Sequence, residues 1–339
     1  MTLLEPWVMI RVLSGAVATL LFGYGAIVGA RVLKYAHLSS ATEGRLLVER
    51  HFELAATLVR IAAALQVFST LLSIVAADRL SGSLRGAMCG YGVVAQNRWG
   101  WPSIAVGLTA SLAAGVVLQL LALDRRVRGL DLMRSISLAC IVLAPLAALD
   151  WGFSFTWLTR LDLSVVASCC STTLDSARRE GALFWQGPRV TAAWGAAAGI
   201  PIAIAAALVA RRRPARALVA LSGMATLAIL PLAVGAAMLE VAPHVYQVPD
   251  HLCPFCLFKA DAYFIGYPLF GAIFFATIWG LGGAVAAGLS TGPHARDAFP
   301  SFAQSRMSRQ ALAWTFALVV GAAPVALFAA TSPGASLFR

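Results

Sequence analysis

Two cysteines stand two residues apart in the segment HLCPFCLF, at Cys253 and Cys256, with Pro254 directly after the first. Proline is favoured in the first turn of a helix. An apolar run follows, so Cys253 is expected at the N-terminus of the helix that starts there. The positive end of a helix dipole stabilises a thiolate, and Lys259 and His251 lie close enough in sequence to add to that effect. A thiolate is both the nucleophile of disulfide exchange and a ligand for metals. A second element, SVVASCCSTTLD, carries the adjacent Cys169 and Cys170. Adjacent cysteines seldom bond each other, because the small ring distorts the peptide between them; they reach separate partners or share one ion. A third element, GAMCGYGV, offers Met88 and Cys89 among glycines that allow tight turns. Cys140 falls inside an apolar run and reads as a small core residue.

These residues allow two chemistries. In the redox reading, Cys253 attacks a disulfide of a partner protein and Cys256 resolves the mixed disulfide. Cys169, Cys170 or Cys89 then relay the electrons or act as disulfide partners. In the metal reading, Cys253, Cys256, Cys169, Cys170, Cys89, Met88, His251 and His244 form the pool of ligands. Thiolate and thioether groups select Cu(I), for hand-over to a metalloprotein. A four-cysteine zinc site normally shows two closely spaced pairs, a pattern only half present here. The structural alternative is a set of disulfides stapling the loops together, in which an odd count of five loop cysteines leaves one thiol over.

The Cys-Pro-Phe-Cys stretch resembles the active-site pair of thioredoxin-like proteins, without the βαβ pattern that accompanies it there. A cysteine pair at the outer end of a membrane span also resembles the membrane thiol oxidoreductases of the DsbB and vitamin K epoxide reductase type. That resemblance covers the segment around Cys253 and Cys256 and the presence of a second loop pair. It implies electron transfer between extracytoplasmic thiols and a quinone. Those families have four or five core spans and a separated second pair, whereas this chain has eight apolar runs and the adjacent Cys169 and Cys170. No quinone site is carried over.

Membrane helices must position these loops. The chain is 60% hydrophobic and 12% charged, with a mean hydropathy of +0.80, against about 25% charged in a soluble domain. Apolar runs fall at 7–33, 54–77, 102–123, 135–158, 190–210, 217–239, 262–288 and 311–331. About 20 apolar residues cross a hydrocarbon core about 30 Å thick. Backbone groups in lipid require a helix or a closed barrel, and continuous runs lack the alternation of barrel strands. The expectation is an all-α polytopic bundle of about eight transmembrane helices. It forms one transmembrane domain over residues 1–339, with a small loop cap outside. The run 7–33 is too long for a cleavable signal and is expected as a retained span.

Orientation follows from Lys and Arg. Loops 34–53, 124–134 and 289–310, the flanking Arg31, and the link holding Arg211, Arg212, Arg213 and Arg216 together carry fifteen. The other side carries eight, so the richer side is expected to be cytoplasmic. Both termini, and every loop cysteine, then lie outside a cytoplasmic (inner) membrane, where disulfides persist. The net charge of +11 is absorbed by this asymmetry, so the expected partners are the lipid bilayer and an extracytoplasmic redox or metalloprotein, not nucleic acid.

Asp150, beside Trp151, is expected either at the outer interface or as a buried ion or proton site partnered by Arg160 or Lys259. Trp99, Trp101, Trp151, Trp157 and Trp185 read as an interfacial belt. No span interior holds a histidine, which disfavours a bis-histidine haem, and no nucleotide-binding or hydrolase motif is present. A permease, or a membrane subunit of a larger complex with cysteines as staples, is the competing class.

Overall fold

The computed structural model describes residues 4–35, 43–127, 131–162, 164, 188–333 and 337. Among the described residues 85% are helical and none lies in a strand. Among the described residues eight helices are long and apolar enough to cross a membrane: α1 Pro6–Tyr35, α2 Glu43–Ser81, α3 Gly100–Asp124, α4 Met133–Thr159, α5 Arg189–Arg212, α6 Arg216–Tyr246, α7 Gly266–Leu289 and α8 Pro293–Thr331. This is the all-α polytopic arrangement expected from hydropathy.

Two helices outrun their apolar stretches. α2 and α8 are each 39 residues long and begin well before positions 54 and 311. Once a helix is nucleated, each further residue gains a hydrogen bond for one residue fixed, so the helix continues beyond its apolar stretch. α7 starts at Gly266 instead of 262. Tyr263 and Phe264 take left-handed backbone conformations, with φ of 51° and 55°, and break the chain just before it. α6 contains one π-helical turn, Ala237–Val241.

Packing divides the chain into two compact units. The first comprises Met1–Ala76, Val94–Leu161 and Val285–Phe302; the second comprises Ala77–Val93, Asp162–Ala284 and Ala303–Arg339.

In the first unit α1 and α3 both pack on α4. Gly29 lets α1 approach closely, since a Cβ there would lie 2.9 Å from the Ser137 carbonyl oxygen. The unit's centre is polar. Asp150 is fully buried, not interfacial, and its partner is Arg11 of α1, not Arg160 or Lys259. Arg11 also donates to the hydroxyls of Ser73 and Ser154, both at 2.6 Å, and to that of Ser69. The Gln66 amide donates to Asp150 at 2.8 Å. A charge is tolerated in lipid when it is paired and its donors are satisfied. Trp157 is fully buried as well, not in the interfacial belt.

In the second unit α5 packs on α6. Gly223 faces Gly280, where a Cβ would meet the Gly280 carbonyl at 2.6 Å. Gln310 of α8 donates to Thr226 Oγ1 at 2.6 Å, and the Trp314 indole donates to the same oxygen at 3.2 Å. The apolar core around Trp314 reaches Leu257 and Leu269, and this is the platform on which the cysteine loops rest.

Candidate thiol site

The second unit brings three of the predicted thiols together. The Sγ atoms of Cys89 and Cys253, 164 residues apart in the chain, lie 3.5 Å from each other. The sulfurs of Cys89, Cys253 and Cys256 all lie within 4.8 Å of one another. The three residues are only 0%, 1% and 4% exposed.

Local chemistry explains the geometry of each loop. After α2 the chain turns through Gly86, whose φ of 80° suits glycine. It then delivers Cys89 directly before a short helix, Gly90–Ala95. Gly90 is needed for close approach: a Cβ there would sit 3.1 Å from Phe255 and 3.2 Å from Ala77. On the other loop, Cys253 is extended and occupies the N-cap position, with Pro254 opening a 3-10 helix, Pro254–Phe258. The capping position is therefore as expected, but the helix is not α7. A five-residue 3-10 turn sums few peptide dipoles, so the helix that Cys253 caps lends it little of the field a long helix would.

Three apolar side chains hold this turn. Phe255 packs at Gly90. Leu257 is fully buried and lies against Gly266, where a Cβ would be 2.9 Å from the Leu257 carbonyl carbon. Phe258 meets the Tyr267 ring edge-on at 4.9 Å and stacks on Phe270 at 5.5 Å.

Hydrogen bonds complete the frame. The Cys256 carbonyl accepts from the Tyr246 hydroxyl at 2.9 Å and from the Lys259 backbone N–H at 3.0 Å. The Tyr246 ring stacks on His251, with centroids 4.0 Å apart. The Lys259 ammonium donates to the Met88 carbonyl. Tyr246 was not singled out from sequence; its only signal was an aromatic position at the end of an apolar run.

Other predicted ligands sit apart from this cluster. Met88 is 65% exposed and contributes its carbonyl to the frame. His251 faces Tyr246 and is not among the closely grouped ligand atoms. His244 belongs to a different group on α6: its Nδ1 lies 2.7 Å from the Glu240 carbonyl oxygen, and Glu240 is paired with Arg189 at 2.6 Å. Cys140 is buried in α4. Cys169 and Cys170 lie outside the described residues.

Chemically, three thiolates bound at about 2.3 Å to one ion lie about 4 Å from each other, a spacing compatible with the cluster. Closing the 3.5 Å gap between Cys89 and Cys253 to a disulfide's length of about 2.05 Å is also within side-chain reach. The chain matches no family model, no curated protein and no solved structure.

Proposed function

We propose that this multi-pass membrane protein holds Cu(I) in a three-thiolate site at its extracytoplasmic face and passes it to a protein on that side. The observation that carries this reading is the mutual approach of three buried sulfurs, all within 4.8 Å, from two loops far apart in sequence. Thiolate ligands favour Cu(I) over harder ions. Burial supports a small ion over a bulky partner as the direct reactant, since thiols that attack other proteins are partly exposed. The excess of Lys and Arg at the opposite loops, fifteen against eight, supports an extracytoplasmic cluster, extracytoplasmic termini and an inner-membrane location.

The 3.5 Å approach of Cys89 to Cys253 favours one second reading, thiol–disulfide exchange. With a disulfide between these two, the Cys256 thiolate attacks the Cys253 sulfur. The Cys253–Cys256 bond forms, the Cys89–Cys253 bond breaks, and Cys89 leaves as the thiolate with no net change in electrons.

Copper retention tests the first reading. Full-length protein, purified reduced in detergent and exposed to Cu(I), is expected to keep about one copper per chain after desalting. Cys253→Ser is expected to lose it. Failure of the wild-type protein to retain copper overturns the reading. A Cys89–Cys253 or Cys253–Cys256 disulfide found by mass spectrometry in that metal-free protein supports the exchange reading instead.

A further inference from the structure

The three sulfurs come from two loops, and one side chain bridges them. Lys259 stands on a rigid base: its N–H donates to the Cys256 carbonyl at 3.0 Å, and its own carbonyl accepts from the N–H groups of Ala262 and Phe264 at 3.2 and 3.0 Å. The left-handed residues Tyr263 and Phe264 turn the chain back so that this second pair forms. From that base the Lys259 ammonium reaches the carbonyl of Met88, whose carbon is bonded to the backbone nitrogen of Cys89. A hydrogen bond from a charged donor is about twice as strong as a neutral one.

We propose that Lys259 is a positioning residue that sets Cys89 as the third sulfur of the cluster, acting through the Met88 carbonyl. The inference rests on the thiol-site reading above, with Cys253 and Cys256 as the fixed pair and Cys89 as the member whose place depends on the bridge. Removing the bridge leaves a two-sulfur site.

The test uses the full-length protein in detergent with Lys259→Met and Lys259→Arg. Three readouts are taken: competition for Cu(I) against a chelator, the sulfur coordination number from X-ray absorption, and the rate at which diamide links Cys89 to Cys253 without metal. Lys259→Met is expected to weaken copper binding about 10–100-fold, to change three-sulfur into two-sulfur coordination, and to slow the cross-link. Lys259→Arg is expected to restore all three. Unchanged affinity, coordination and cross-linking in Lys259→Met overturn the proposal. If the wild-type protein retains no copper, the metal reading alone fails. The cross-linking rate then decides the role of Lys259: slower in Lys259→Met supports it, and equal rates overturn it. Lys259→Gln, shorter and uncharged, replaces Lys259→Met if that variant aggregates, with the same expected and overturning results.

Discussion

One guanidinium nitrogen of Arg11, Nη2, lies 2.9 and 3.0 Å from the two carboxylate oxygens of Asp150. Both residues are fully buried. Taking one charge away strands the other in a medium that cannot solvate it. Arg11→Met is therefore expected to destabilise the protein by about 3–5 kcal/mol, and the double variant Arg11→Met/Asp150→Leu to recover most of that loss. Unfolding in detergent measures both. A double variant no more stable than the single one would show that the hydroxyls of Ser69, Ser73 and Ser154, not the ion pair, carry the stability.

The three clustered cysteines should behave as a unit. Cys89→Ser, Cys253→Ser and Cys256→Ser are each expected to weaken Cu(I) retention. Cys140→Ser, buried in α4, should leave it unchanged. Each thiol gives up a proton when it binds the ion, so affinity is expected to fall as pH is lowered. A flat profile on titrating bound copper against pH contradicts thiolate ligation.

Met88 separates side-chain from main-chain roles. Its residue is exposed, and its carbonyl holds Lys259. Met88→Ala keeps that carbonyl, so copper affinity and Cys89–Cys253 cross-linking are expected to stay at wild-type levels. A clear loss of affinity would restore the thioether as a ligand.

Gly266 tests how firmly the Cys253–Cys256 turn is seated. A Cβ at this position would press within 2.9 Å of the Leu257 carbonyl carbon, which is backbone and cannot swing aside. Gly266→Ala is expected to cost about 1–3 kcal/mol and to weaken copper binding by shifting Cys256. A variant with wild-type melting and copper retention refutes this seating.

The spans were readable because continuous apolar runs have few structural alternatives in lipid. The lengths of α2 and α8 were not, since hydropathy reports contact with lipid and not helix continuity. The chemistry of Cys89, Cys253 and Cys256 was visible in their residue types and glycine or proline neighbours. That loop cysteines would gather on one face followed from the spans, but which three sulfurs would close up did not, because 164 residues separate Cys89 from Cys253. The left-handed Tyr263 and Phe264 carry no sequence signal, as neither is glycine or asparagine, and they displaced the predicted start of α7. Arg11 was overlooked as the partner of Asp150 because it stands near the start of a span, where an arginine reads as an end marker. His244 looked like a ligand by proximity in sequence, yet Glu240, one helical turn earlier, engages its ring.

The match between Arg11 and Asp150 also bears on biogenesis. The guanidinium leaves the ribosome 139 residues before the carboxylate that neutralises it. At about 5–20 residues per second, the first helix waits roughly 7–28 s with an uncompensated cation. Nascent chains halted before Asp150 are expected to keep α1 beside the insertion machinery, where photocrosslinking finds it, and chains carried past α4 to release it into the bilayer.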